Sequence, residues 1–152
     1  LNHLHCVEYK IFQWAKATPQ KLAIFFKDER ISYFKLASNI QKVAHLFSEK
    51  YGLKKGDIVF LIADKSPSFI YKYFATHLSG GIAVIIDPDI TAQRFEMIKS
   101  RTLPKFIFGN PTKAIPKDSV TEFESIENSN IIISFDEVMF PDLEDKADIL
   151  FT

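Results

Sequence analysis

Glycine is scarce in this chain of 152 residues: five occur, at positions 52, 56, 80, 81 and 109. None fits the Gly-rich dinucleotide fingerprint or the phosphate-loop pattern with its Lys. Backbone cradling of a phosphate needs clustered glycines, so a complete nucleotide site is not expected within these residues. Cysteine is rarer still. Cys6 stands alone, which excludes a disulfide framework inside the chain and makes a cytoplasmic home the simplest reading. Long apolar runs are missing too. The run at 82–86 is typical, far short of the ~20 residues that a membrane span needs. Residues 1–10 mix His, Glu and Lys, with no apolar stretch and no small-residue cleavage site, so no secretory signal is read there. The chain opens on Leu rather than Met, as a processed piece of a longer protein would.

Net charge is absent as well, with 19 Lys and Arg against 19 Asp and Glu. The zero conceals an asymmetry. Residues 1–117 hold 18 basic against 9 acidic side chains, whereas residues 118–152 hold Lys146 alone against 10 acidic ones. A basic body can attract an anionic ligand. The plainer reading is that the lysines lie on solvated helix faces and the acidic stretch is a surface connection. The basic residues are not interleaved with aromatics in one patch, so nucleic acid is not an expected partner.

What is present is a core. Apolar residues make up 47% of the chain, charged ones 25%, and there are fifteen Phe. That is the profile of a globular protein of about one domain. The spacing of Val7, Ile11, Trp14 and Ala15 predicts a helix over 7–17, ended by Thr18-Pro19. Residues 22–26 read as a strand, 27–30 as a polar turn and 31–33 as the start of the next element, together a small hairpin. A long helix over about 34–50 buries Leu36, Ile40, Val43, Ala44 and Phe47, with Ser32 as its cap and Gly52 as the left-handed residue beyond it. Strand and helix then alternate. Residues 58–63 and 82–86 are continuous apolar runs, as in strands buried on both faces. Ser66-Pro67 opens the helix between them. A further helix covers about 91–101, Pro104 breaks it, and 105–108 is a third strand. These units predict an α/β fold with a mainly parallel sheet flanked by helices. Residues 110–148 read as a loop-rich, acidic connection containing a short strand at 131–133 and a helical turn near 135–139. Residues 147–152 read as an arriving strand.

Few residues carry chemistry by pattern. His3, His5 and Cys6 could ligate zinc, but the paired ligand spacing of closed zinc sites is missing and His45 and His77 lie on predicted helices. A frayed N-terminus is the better account. Asp87 and Asp89 resemble a carboxylate pair for Mg²⁺ or acid–base work. The stronger reading is structural: Asp87 ends a strand, Pro88 fixes the turn and Asp89 caps the next helix. In an open parallel sheet ligands sit beyond the carboxyl ends of the strands, so a site should be built from the residues just after Ala63, Ile86, Phe108 and Phe151.

Five segments, in order, carry a resemblance to a known family. Residues 14–23 look like its opening helix and the TP-x-x-x-A beyond it. ISYFKL at 31–36 resembles its TY-x-EL motif, with Lys35 replacing a usual Glu so that the reciprocal capping box with Ser32 is lost. GLKKGDIVFLIA at 52–63 is similar to its G-x-x-x-GD-x-V strand entry. LSGGIAVIIDP at 78–88 resembles its GA-x-x-x-P-(L/I)-(D/N)-P strand and turn, with Ile85 or Ile86 where Pro is frequent. DILFT at 148–152 is similar to the strand entering its Thr-Ser-Gly-Thr-Thr-Gly phosphate loop. The chain thus resembles the N-terminal subdomain of the adenylate-forming ligases: acyl-CoA synthetases, amino-acid adenylation domains and luciferases.

The resemblance implies that residues 1–152 are a partial N-terminal domain, truncated at the start of the phosphate loop. The parent enzyme would use ATP and Mg²⁺ to turn a small carboxylic acid into an acyl-adenylate. It would then pass the acyl group to CoA or a carrier-protein phosphopantetheine. An acyl-CoA synthetase of fatty acid metabolism is the leading expectation, and an amino-acid adenylation domain of a peptide synthetase or a carrier-protein ligase is the alternative. By resemblance Thr152 is the first residue of the phosphate loop and the one cofactor-binding position carried over; no catalytic residue or metal ligand is. The remainder of the polypeptide is the expected partner, the chain alone is expected to be inactive and to bind no cofactor, and an exposed core face could pair with a second copy. A non-catalytic, flavodoxin-like binding module is the alternative of another class.

Overall fold

The computed structural model describes residues 6–128, 131 and 134–151. Its elements are α1 (Val7–Ala17), β1 (Leu22–Phe26), β2 (Glu29–Ser32), α2 (Tyr33–Glu49), β3 (Ile58–Ile62), α3 (Pro67–Leu78), β4 (Ile82–Ile86), α4 (Ala92–Thr102) and β5 (Phe106–Phe108). Four helices start where a side chain accepts an otherwise orphaned backbone N–H. The Cys6 thiol takes the amide of Tyr9, Ser32 that of Lys35, Ser66 that of Phe69 and Thr91 that of Arg94. Pro67 occupies the first turn of α3, where its missing N–H costs nothing.

β1 and β2 pair as an antiparallel hairpin with Phe26 opposite Glu29. The turn is therefore Lys27-Asp28 alone, shorter than the expected polar turn over 27–30, and Lys27 sits at φ 53° to close it. The main sheet is parallel, in the order β4-β3-β5. Alternation along β3 divides the molecule into two layers. Val59 and Leu61 face a core shared with α1, α2 and α3, among them Phe12, Ile40, Phe47 and Ala75. Phe60 and Ile62 face the opposite core, with Phe95 and Ile98 of α4 and Ile115. This is what two crossovers of one hand produce when the chain steps from β3 out to β4 and then back past β3 to β5. Val59 and Phe60 have no exposed surface, so the central strand is apolar on both faces, as its sequence predicted.

The described residues of 110–151 hold three single turns of 3₁₀ helix, at Lys117–Ser119, Ile126–Asn128 and Phe135–Glu137. The segment works as a strap over the helical face. It leaves β5 along its outer edge, where Thr121 N donates to Ile107 O at 2.7 Å. Phe123 stacks on Tyr51 and meets Phe47 and Phe108 edge-on. Phe135 and Phe140 then meet Phe12 of α1 edge-on. The strap ends beside β4: Ala83 N donates to Ala147 O at 2.7 Å and Ile149 N to Ala83 O at 3.0 Å. The expected strand over 147–152 is thus one parallel bridge, Ala83 to Asp148, among the described residues. The strand expected at 131–133 falls largely outside them; Ile131 itself belongs to no strand.

That bridge bears on the flavodoxin-like alternative. The order β4-β3-β5 is the 2-1-3 opening of a flavodoxin-like sheet, in which a fourth strand adds beside the third. Here the next segment adds on the other side, beside β4.

Candidate functional site

The carboxyl ends of β3 and β5 open into a groove of 1450 Å³. Asp64, Lys65 and Ser66 after β3 line it, as do Gly109 and Asn110 after β5 and the strap residue Phe123. This is where ligands sit in an open parallel sheet. Gly109 lets the two strand ends approach: it holds φ 132°, and a Cβ there would lie 2.7 Å from the Cβ of Ile62. Asp64 accepts the Ser66 amide at 2.7 Å, tightening the turn into α3. Lys72, in the second turn of α3, is among the groove residues whose chemistry is altered. Burial lowers its pKa from the ordinary lysine value, and the nearby Asp64 charge only partly opposes this. Its Nζ donates to Ser68 Oγ at 3.1 Å and lies 4.9 Å from the centre of the Phe123 ring, a cation–π arrangement. Lys35 and Lys42 share the groove with Glu29, Glu122 and Glu127, so the basic surface does not present a field of one sign.

The expected site residues distribute unevenly. The residues after β3 and β5 meet in the groove. Asp87 and Asp89 after β4 do not line it. They are structural, but not as expected: Asp87 Oδ1 accepts the Asp89 amide at 2.8 Å, and Thr91, not Asp89, caps α4. The turn at 87–90 is closed by Ile90 N donating to Asp87 O, which leaves Thr91 as the first residue able to reach a free helical N–H. Thr152 lies outside the described residues, as do His3 and His5. Cys6 caps α1, and burial pushes its thiol pKa up, away from nucleophilic character. Among the described residues no three His, Cys, Asp or Glu side chains are placed to hold a metal. No helix there is long and apolar enough to cross a membrane.

The turn at 52–57 shows what one shared motif does. Asp57 Oδ2 accepts the Lys54 amide at 2.7 Å and the Lys105 ammonium at 2.9 Å, while Lys105 also donates to Gly52 O at 2.6 Å. Gly52 and Gly56 take positive φ. The motif sets the entry of β3 and ties it to β5. Lys35, standing where the capping-box Glu would, pairs instead with Glu29 at 2.8 Å.

Sequence reasoning missed one polar cluster. Glu8 of α1 and His77 of α3 are buried, and His77 Nδ1 lies 2.5 Å from Glu8 Oε1. His77 Nε2 lies 3.0 Å from Asp148 Oδ1, and Tyr73 donates its hydroxyl to Asp148 Oδ2 at 2.9 Å. The partners are 69 and 71 residues apart, and only a buried position for His77 on its helix could have hinted at them.

The fold recurs in solved structures. The N-terminal subdomain of Klebsiella oxytoca NpsA in complex with anthranilyl-AMSN superposes with a TM-score of 0.80 at 21% identity, covering 99% of this chain and 39% of that one. At that identity the likeness shows the fold alone. Sequence supplies the class: the description "AMP-binding enzyme" matches residues 11–149, and the chain belongs to that family of adenylate-forming enzymes. Its relatives act on different acceptors by name. D-alanine–D-alanyl carrier protein ligase of Staphylococcus haemolyticus is 26% identical over 93% of this chain and 28% of its own length. 2-succinylbenzoate–CoA ligase of Bacillus velezensis is 26% identical over 55% of this chain and 17% of its own length. The chain spans less than a third of the length of these curated relatives.

This family uses ATP and Mg²⁺. The described residues hold no glycine-rich loop and no group of three metal-ligating side chains.

Proposed function

We propose that residues 1–152 are the N-terminal part of an ATP-dependent carboxylic acid–thiol ligase of the acyl-CoA synthetase type. On this reading the sequence continues past Thr152 into a Gly- and Ser/Thr-rich phosphate loop, with Thr152 as its first member. The parent enzyme joins a carboxylic acid to the AMP part of ATP, releasing pyrophosphate, and then transfers the acyl group to the thiol of CoA, releasing AMP. The family match over residues 11–149 carries the reading. The direction of the last segment supports it: residues 147–149 run parallel to β4, so their continuation leaves the sheet at its carboxyl end, where nucleotide loops belong. The role of residues 6–151 is then scaffolding, with the groove at the ends of β3 and β5 as a wall of the larger cleft.

A second reading, with a carrier-protein phosphopantetheine as acceptor, is favoured by the likeness to the D-alanyl carrier protein ligase along 93% of this chain. One experiment separates the two. The polypeptide extended past Thr152 is assayed for acid-dependent exchange of pyrophosphate into ATP across fatty, aryl and amino acids. The adenylating mixture is then given CoA or a phosphopantetheinylated carrier. Exchange followed by acyl-CoA is the expected result. Acyl transfer to the carrier alone would favour the second reading, and no exchange with any acid would overturn both.

A further inference from the structure

A buried histidine between two carboxylates has no part in the proposed chemistry, yet it joins three separate pieces of chain. His77 is on the last turn of α3, Glu8 on the first turn of α1, and Asp148 in the segment that bridges to β4. The side chains of Glu8 and His77 are each 6% exposed and that of Asp148 30%. A small cavity of 300 Å³ adjoins them, and its remaining titratable groups are Cys6, Tyr73, Asp142, Asp145 and Lys146. Tyr73 already serves Asp148, and Asp145 pairs with Lys55 at 2.6 Å. No basic side chain other than His77 is within ion-pair reach of Glu8 or Asp148 among the described residues.

The geometry permits both short contacts only while the three side chains together hold the extra proton. An imidazolium donates from both ring nitrogens, whereas a neutral imidazole donates from one and presents a lone pair at the other. With Nδ1 facing Glu8 and Nε2 facing Asp148, the neutral ring must set a lone pair against one carboxylate, so that contact has to open or take up a proton. We propose that Glu8, His77 and Asp148 form a proton-operated clamp that fastens residues 147–149 to the edge of β4. Beyond the Tyr73 hydroxyl, which donates to Asp148, the segment has little else to hold it. Two backbone hydrogen bonds to Ala83 make up its pairing to β4, Leu150 is largely exposed, and Ile149 and Phe151 are only partly buried against the outer core.

Burial alone would push His77 below its ordinary value, but the hydrogen bonds and charges of Glu8 and Asp148 outweigh it and the net shift is upward. Because the folded value lies above the unfolded one, the clamp is complete below about pH 6.5 and is lost as the pH rises through the folded value. If the segment leads into the phosphate loop, a consequence that rests on the function proposed above, the clamp also fixes where that loop begins.

The test is amide hydrogen exchange on the 152-residue chain from pH 6 to pH 9, with protection factors corrected for intrinsic exchange and His77 titrated by its ring NMR signals. The clamp predicts that Ile149 loses about tenfold or more of its protection with the same midpoint as His77, while the Val59 amide in β3 does not follow that midpoint. In His77→Gln, Ile149 protection is low and flat with pH. Asp148→Asn, which changes no residue of α1 or α3, is the second variant. It should lower the His77 midpoint and release Ile149. Ile149 protection that ignores the His77 titration, or that keeps its wild-type pH dependence in either folded variant, would overturn the clamp.

Discussion

The body at residues 6–109 and the strap at 110–151 are held by different physics. The body is regular and dry. Five of its phenylalanines, Phe12, Phe47, Phe60, Phe95 and Phe108, are almost wholly buried, and its backbone is paired by helices and a parallel sheet. Among the described residues the strap has no named strand, and its aromatic residues Phe123, Phe135 and Phe140 are only partly buried against the body. Its acidic side chains reach back to the body's lysines: Lys16 to Asp136, Lys50 to Glu124 and Lys55 to Asp145. The zero net charge is therefore a basic body wrapped by an acidic strap. Ion pairs at such exposed positions contribute little to stability; edge-on aromatic contacts and backbone bonds do more. Apolar contact therefore holds the strap more than charge does.

Substitutions can break this contrast. The largest effect is expected in the body: Phe108→Ala, which empties a stack against Phe47, should cost about 3–5 kcal/mol in denaturant unfolding. Gly109→Ala should come next at about 1–3 kcal/mol, because the new Cβ meets Ile62 and the left-handed φ is strained. Phe135→Ala in the strap should cost only about 1 kcal/mol, since less area returns to water. A strap substitution as costly as Phe108→Ala would show that the two regions form one core. The smallest effect is expected from Asp136→Asn, whose pair with Lys16 is exposed on both sides. Its melting temperature should match the parent's even at low salt, and a clear drop would mean that charge holds the strap.

Legibility in the sequence divides along the same line. The bounds of α1, β1 and β4 were readable residue by residue, because caps, breakers and apolar periodicity are local signals. So was the positive φ of Gly52, fixed by the end of the helix before it. The cap of α4 was misread because Asp89 and Thr91 are both good caps, and the choice depends on how the Asp87 side chain folds the turn. The strap's path was not legible. It depends on pairs such as Gln41 with Ser134 and Tyr51 with Glu122, which no periodicity relates. His77 was set aside as one histidine on a helix, since its partners come from opposite ends of the chain. The groove was placed in outline by the rule for strand ends, but the exclusion of Asp87 and Asp89 from it required the sheet order.

The function proposed above makes the strap the approach to a loop that binds nucleotide, and this can be tested directly. The coding sequence beyond the Thr152 codon should be determined. The account predicts an immediate loop rich in Gly, Ser and Thr in the same frame. A stop codon there, or an unrelated continuation without such a loop, would contradict it.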